Sequence, residues 1–176
     1  MTKFVFDSDG VIKLTKSGVI EVVLDRFECF ISEDVQRESV TSGIERLYED
    51  AFQIESFIHR KLLTVSEFKE DENAKSILKD VEGLGIGEVS TLHLFFNLSA
   101  SAIISDDYAF LKLLRRNEIP FIIPTDLVAR MAELNILTKE SALTALENIK
   151  TYVKKDNYQI SKRNILDIYL ILNKIK

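Results

Sequence analysis

Tryptophan is absent from this chain of 176 residues, which holds one Cys, two His, two Pro and six Gly. The lone thiol, Cys29, closes no internal disulfide, and His59 and His93 stand in no cluster with zinc-ligand spacing. Disulfide-stapled secreted scaffolds and structural zinc modules are therefore excluded, and a reducing compartment is the natural setting. Pro120, Pro124 and six glycines are too few for a β-sandwich, whose turns recur about every 8 to 12 residues. No apolar run approaches the roughly 18 residues of a membrane span. The first run, Phe4-Val5-Phe6, meets Asp7 with no signal-peptide core before it. A cytoplasmic protein without a membrane partner is expected.

What the chain does contain is a 46% hydrophobic and 29% charged composition, ordinary for one soluble globular domain. Four short apolar runs, Phe4-Val5-Phe6, Cys29-Phe30-Ile31, Ala102-Ile103-Ile104 and Phe121-Ile122-Ile123, are too short for helices. A fifth, weaker run lies near Leu62 to Val65. Unbroken apolarity, rather than alternation, marks strands buried on both faces, as in a parallel sheet covered by helices. Between the runs the spacing turns helical: Ile44, Leu47, Tyr48, Ala51, Ile54 and Ile58 predict one helix over 44–58. The expected class is α/β, a three-layer α/β/α arrangement around a mainly parallel sheet of four or five strands, with added C-terminal helices over 139–153 and 161–175.

The formal charge of −5 argues against bulk electrostatic coating of nucleic acid. Its distribution is uneven. Residues 150–176 carry seven basic side chains, including Lys174 and Lys176, against Asp156 and Asp167, a net of +5, which leaves −10 for residues 1–149. The division expected is a domain over 1–149 and a basic helical extension over 150–176, packed on or beside it.

In an open parallel sheet, ligands bind beyond the carboxyl ends of the strands. Phe4-Val5-Phe6 runs into Asp7, and Ala102-Ile103-Ile104 runs through Ser105 into Asp106 and Asp107, so two strand ends deliver carboxylates to one edge. Such charges need water, a hydrogen-bond donor or a cation. Glu88 follows Gly83, Gly85 and Gly87 and begins an apolar helix, where the dipole favours an anion. The glycine run lacks the Lys-Ser/Thr of a phosphate-binding P-loop.

These motifs resemble those of the PIN-domain ribonucleases, which include VapC-like toxins of toxin–antitoxin pairs, over roughly residues 3 to 148. Phe-Asp-Ser-Asp-Gly-Val-Ile-Lys-Leu resembles the opening strand, Asp and helix. Gly87-Glu88-Val89-Ser90 is similar to the Gly-Glu-Ala helix start of one branch, and Ile103-Ile104-Ser105-Asp106-Asp107 to its strand and Asp-Asp pair. The resemblance implies an acidic quartet of Asp7, Glu38, Glu88 and Asp107, with Asp106 as a helper and Asp7, Glu88, Asp106 and Asp107 as ligands to Mg2+ or Mn2+. Glu33, Asp34 and Glu45 compete with Glu38 for its place. The implied activity is hydrolysis of RNA phosphodiester bonds, with a toxin role and an antitoxin partner as its extension, and a homodimer is the expected assembly. Ser8, Ser105, Lys13, Lys112, Arg115 and Arg116 are the expected substrate contacts, although ordinary solvated helix faces would also explain the cations.

Two other readings compete. Asp7-Ser8-Asp9-Gly10-Val11 also resembles the opening of haloacid dehalogenase-like phosphatases, with Asp7 as nucleophile and Asp9 as general acid or base. The later strands lack that family's Thr or Ser and its Lys. The second alternative is a non-catalytic interaction module of the same fold. His93, Cys29 and the aromatics Phe52, Phe57, Phe95, Phe96 and Phe110 read as structural, and His59 as an exposed residue near a helix C-terminus.

Overall fold

Every apolar run singled out above forms a strand. The computed structural model describes residues 2–79 and 81–175, with side chains in the last helix described as far as Tyr169. Strands β1 (Lys3–Phe6), β2 (Glu28–Ser32), β3 (Leu63–Ser66), β4 (Ala102–Ile104) and β5 (Phe121–Ile122) pair in the order β3-β2-β1-β4-β5, all parallel. Val5 stands opposite Phe30 on one side and Ile103 on the other. The chain reverses its direction of growth between β1 and β4. That switch point opens a crevice at the carboxyl edge, where Asp7 and Ser105 leave their strands.

Helices cover both faces of the sheet. On one side Phe4, Phe6, Cys29, Ile31, Ala102 and Ile104 pack with α1 (Ser8–Ser17), α2 (Ile20–Leu24), α5 (Glu49–His59), α9 (Pro124–Glu133) and α10 (Lys139–Ile149). On the other, Ile103 packs with α6 (Glu72–Leu78), α7 (Ile86–Leu98) and α8 (Tyr108–Arg116). Two cores separated by one sheet make the three-layer α/β/α arrangement. The last helix, α11 (Lys155–Ile175), begins earlier than its apolar spacing predicts and buries Tyr158 and Ile165 in the first core. Of the basic tail residues, Lys176 and the side chain of Lys174 lie outside the described residues.

The single helix expected over 44–58 is two. A helical segment runs through α3 (Glu33–Gln36), a wider π-turn (Arg37–Thr41) and α4 (Ser42–Glu45), and then breaks at Leu47, whose φ is 58°. The Tyr48 N–H bonds back to the Gly43 carbonyl, which closes the turn. Helical spacing continues across the break because α5 packs against the preceding segment, where a Cβ on Gly43 would come within 2.6 Å of the Ala51 Cβ. The periodicity records a shared core rather than one axis.

Of the residues read as structural, Cys29, His93, Phe57, Phe95 and Phe110 are buried and Phe96 is half-buried, whereas Phe52 is 44% exposed and does not join the core; His59 is exposed. Burial pushes the Cys29 thiol up to about 12, beyond reactive range. His93 is buried, accepts the Asp71 N–H at Nδ1 (2.9 Å) and stacks on Phe68, and burial lowers its pKa.

Candidate active site at the carboxyl edge of the sheet

Asp7 is 1% exposed at the end of β1. One carboxylate oxygen accepts the Gly10 N–H (2.6 Å) and caps α1, and the other accepts the Ser105 hydroxyl from the end of β4. Gly10 is required there, because a Cβ would stand 2.1 Å from the Ile104 carbonyl oxygen. Burial pushes the Asp7 carboxyl up to about 8. The Ser105 and Gly10 hydrogen bonds oppose this, while the charges of Asp9 and Glu88 add to it.

Glu88 lies half-buried in the first turn of α7. Its pKa is raised, first by burial and then by the charges of Glu38 and Asp107. Glu38 projects from the π-turn, accepts the Ser8 hydroxyl and also accepts the Gly87 N–H (3.3 Å). A π-turn of this kind inserts a residue into a helix and re-aims its side chains, and such turns are frequent at functional sites. The glycines let these acids close in: a Cβ on Gly87 would lie 2.4 Å from a Glu38 carboxylate oxygen, and one on Gly85 2.5 Å from a Glu88 oxygen. Asp107 caps α8 by accepting the Phe110 N–H (2.7 Å), and its own N–H donates to Ser105 (3.2 Å).

Asp7, Glu38, Glu88 and Asp107 are thus linked by hydrogen bonds or by mutual repulsion around one crevice. Asp106 faces differently. It is buried and paired with Lys13 (3.0 Å), which also holds Asp9 (2.9 Å). Burial works to lower the Lys13 pKa, but the bonds to Asp9 and Asp106 outweigh it and the net shift is upward. Lys13, with a 14% exposed side chain, is committed to these carboxylates rather than open to a substrate phosphate. Glu33 is exposed, Asp34 pairs with Arg37, and Glu45 lies beyond the π-turn, so Glu38 is the member of that helical segment tied to the other acids.

The remaining cations expected at the substrate lie on the exposed face of α8. Lys112 and Arg116 border a shallow cavity of about 320 Å³ with Val81, Leu84 and Leu113, and Arg115 lies over the Phe121 ring (5.6 Å). Two residues that meet at the start of α8 carry no expectation from the sequence. Tyr108, 65% exposed, follows Asp107 directly, and the Lys154 ammonium stands 3.9 Å from its ring centroid. The place of Tyr108 beside the Asp pair is visible in sequence, whereas the approach of Lys154 is a tertiary contact that no spacing shows.

Among the described residues, no three His, Cys, Asp or Glu side chains are drawn together tightly enough to hold an ion as they stand. Their oxygens are occupied by capping and hydroxyl hydrogen bonds. The donor set nonetheless fits a hard divalent cation. It is all oxygen, two of its members are held above their usual range partly by neighbouring acids, and glycine approaches it where a Cβ would intrude.

No curated protein sequence matches the chain at a significant level. A family model described as PIN domain matches residues 3–165, from the first strand into the last helix. The match spans Asp7 and the Asp106–Asp107 pair, and it takes in the Asp7–Val11 opening that also resembled a phosphatase. PIN domains are typically nucleases that use divalent metal ions. By a match that covers both acidic strand ends and all five strands, the chain belongs to the PIN-domain family.

Proposed function

We propose that the protein is a metal-dependent ribonuclease that hydrolyses RNA phosphodiester bonds at the crevice between β1 and β4. The observation that carries this reading is the gathering of Asp7, Glu38, Glu88 and Asp107, linked through Ser105 and the Gly87 N–H, at the carboxyl edge where parallel sheets bind ligands. Asp7, Glu88 and Asp107 would hold Mg2+ or Mn2+, with Glu38 beside them. Bound there, the cation would supply charge stabilisation for the attacking and leaving oxygens.

The chain's own groups orient and hold protons. Ser105 fixes one Asp7 oxygen and Gly10 the other, so the carboxyl plane is set before any ligand arrives. Ser8 and the Gly87 N–H set Glu38 in the same way. Glu88 is the partly exposed acid whose pKa is raised by burial and then by the charges of Glu38 and Asp107, which suits it to take or hold a proton at its carboxylate. Lys13 offsets part of the charge of Asp106 and Asp9, which limits the negative charge a phosphate must approach. The cations of α8, Lys112 and Arg116 foremost, would contact phosphates flanking the scissile one.

Purified protein incubated with single-stranded RNA and Mn2+ or Mg2+ tests the reading. Cleavage is expected with metal, to be lost with chelator, to fall about 100-fold or more in Glu88→Gln, and to persist in Asp9→Asn. Release of phosphate from a phosphomonoester, abolished in Asp9→Asn, would instead establish the phosphatase. Absence of both metal binding and cleavage would leave a non-catalytic module. The toxin extension has its own test: growth arrest on expression of the wild-type chain and none with Glu88→Gln.

A further inference from the structure

Tyr108 occupies the first position of α8, directly after Asp107, and leaves a large aromatic ring in solvent. Its backbone is fixed beside Asp107, whose carboxylate caps the helix that Tyr108 begins, so the ring leaves the chain one residue from an acid of the cluster. The Lys154 ammonium lies over that ring at 3.9 Å. Lys154 is itself anchored, since its carbonyl accepts the Tyr158 N–H at the start of α11. Other lysines also lie over tyrosine rings: Lys16 over Tyr152, and Lys150 and Lys162 over Tyr158. Each of those three also binds a carboxylate, Asp50 or Glu147. Among the described residues Lys154 makes no salt bridge, so this one cation, brought from the basic tail to an acidic edge, keeps its charge available.

We propose that Tyr108 and Lys154 form a nucleotide clamp for single-stranded RNA, Tyr108 stacking on a base beside the scissile phosphate and Lys154 holding the phosphate of that nucleotide. The inference rests on the ribonuclease reading and names what that site grips. A π-face stacks on any base but requires that the base be unpaired, so the clamp selects single strands without selecting sequence. A duplex keeps its bases inside and presents only phosphates. The clamp also supplies the positive charge that Lys13, bound to Asp9 and Asp106, does not.

The test uses the full chain in a Glu88→Gln background, so that binding is read without cleavage. Anisotropy of a labelled oligoribonucleotide, single-stranded or as a blunt duplex, is followed with Mg2+ over a range of salt. Tyr108→Ala is expected to weaken single-strand binding by about fivefold or more, while Tyr108→Phe, which keeps the ring, stays within about twofold of the parent. Lys154→Ala should weaken binding and reduce the slope of log K against log salt by about 0.7, the loss of one phosphate contact on a single strand. Arg163→Ala, which removes an equal charge elsewhere on the tail, should do neither, and duplex binding should ignore Tyr108→Ala. Unchanged single-strand binding in Tyr108→Ala, equal losses in Tyr108→Ala and Tyr108→Phe, or equal slope changes in Lys154→Ala and Arg163→Ala would each overturn the clamp. If the parent binds no RNA, the ribonuclease reading falls with it. If it binds RNA independently of these residues, only the clamp falls. Melting curves for each variant separate local loss from misfolding.

Discussion

The Ser105 hydroxyl donates to the Asp7 carboxylate across the β1–β4 junction, joining residues 98 apart in sequence. This hydrogen bond ties the two acidic strand ends to each other. Its strength does not fully offset the burial of Asp7, whose carboxyl still holds its proton to about pH 8.

A pH dependence follows. An unfolded Asp releases its proton near pH 3.9, so between roughly pH 4 and 8 the folded chain binds one more proton than the unfolded one at this residue. Stability of the metal-free protein should therefore fall as pH rises through that window, by at most about 1.4 kcal/mol per unit. Glu88, also shifted upward, adds in the same direction. Thermal melting in chelator is expected to give a higher Tm at pH 6 than at pH 8, with a flatter profile for Asp7→Asn. A wild-type Tm that rises between pH 6 and 8 would contradict this account.

Two glycines of the site should respond to alanine in opposite ways. In Gly10→Ala the new methyl meets the Ile104 backbone carbonyl at 2.1 Å, and backbone cannot step aside. A loss of about 3 kcal/mol or more, or failure to fold, is expected. In Gly87→Ala the obstacle is the end of the Glu38 side chain, which can rotate away. Melting should change by less than about 1 kcal/mol while metal-dependent cleavage falls, because Glu38 loses its place against the Gly87 N–H. Denaturant titrations beside activity assays check both halves.

Lys13→Met tests whether Asp106 is held by its lysine. Removing the ammonium leaves a buried carboxylate without its partner, a change that destabilises by about 3 to 5 kcal/mol in fully buried pairs. Lys13 retains some exposure, so a loss of about 2 to 4 kcal/mol is expected by urea unfolding. The double variant Lys13→Met with Asp106→Asn should recover much of it. Loss of cleavage with unchanged stability would instead assign Lys13 to the substrate.

Leu47→Gly is expected to stabilise the protein. Leu47 adopts φ 58° with 79% of its surface exposed, so the side chain loses almost no packing when removed and the backbone strain is relieved. A gain of about 1 kcal/mol in unfolding free energy is expected, reduced by the greater freedom of glycine in the unfolded chain. A lower melting temperature would mean that the exposed leucine makes a contact in solution that this chain alone lacks.

Much of the framework was legible because its signals are local. Three-residue runs such as Ala102-Ile103-Ile104 declare buried strands, and an aspartate at a strand end declares the edge where it will stand. Gly87 beside Glu88 likewise marks a close approach. The break at Leu47 was not legible, since the apolar spacing is set by the core that both helices share and not by the axis of either. Nor could the sequence say that Lys13 would be taken by Asp106, 93 residues away, or that Lys154 would reach Tyr108. Charge pairing across the fold decides which lysines stay available, and it is settled only by tertiary packing.

The strand order also governs when the acid cluster of a chain under synthesis can assemble. The β1–β2–β3 half emerges first, carrying Asp7 and Glu38, yet Ser105 and Asp107 arrive with β4, which must insert beside β1 across nearly one hundred intervening residues. Contacts so distant in sequence form late, after the loop-closure entropy has been met. Until then Asp7 lacks its serine and the cluster lacks Asp107. The complete acid cluster is thereby withheld from the nascent polypeptide until β4 has docked beside β1.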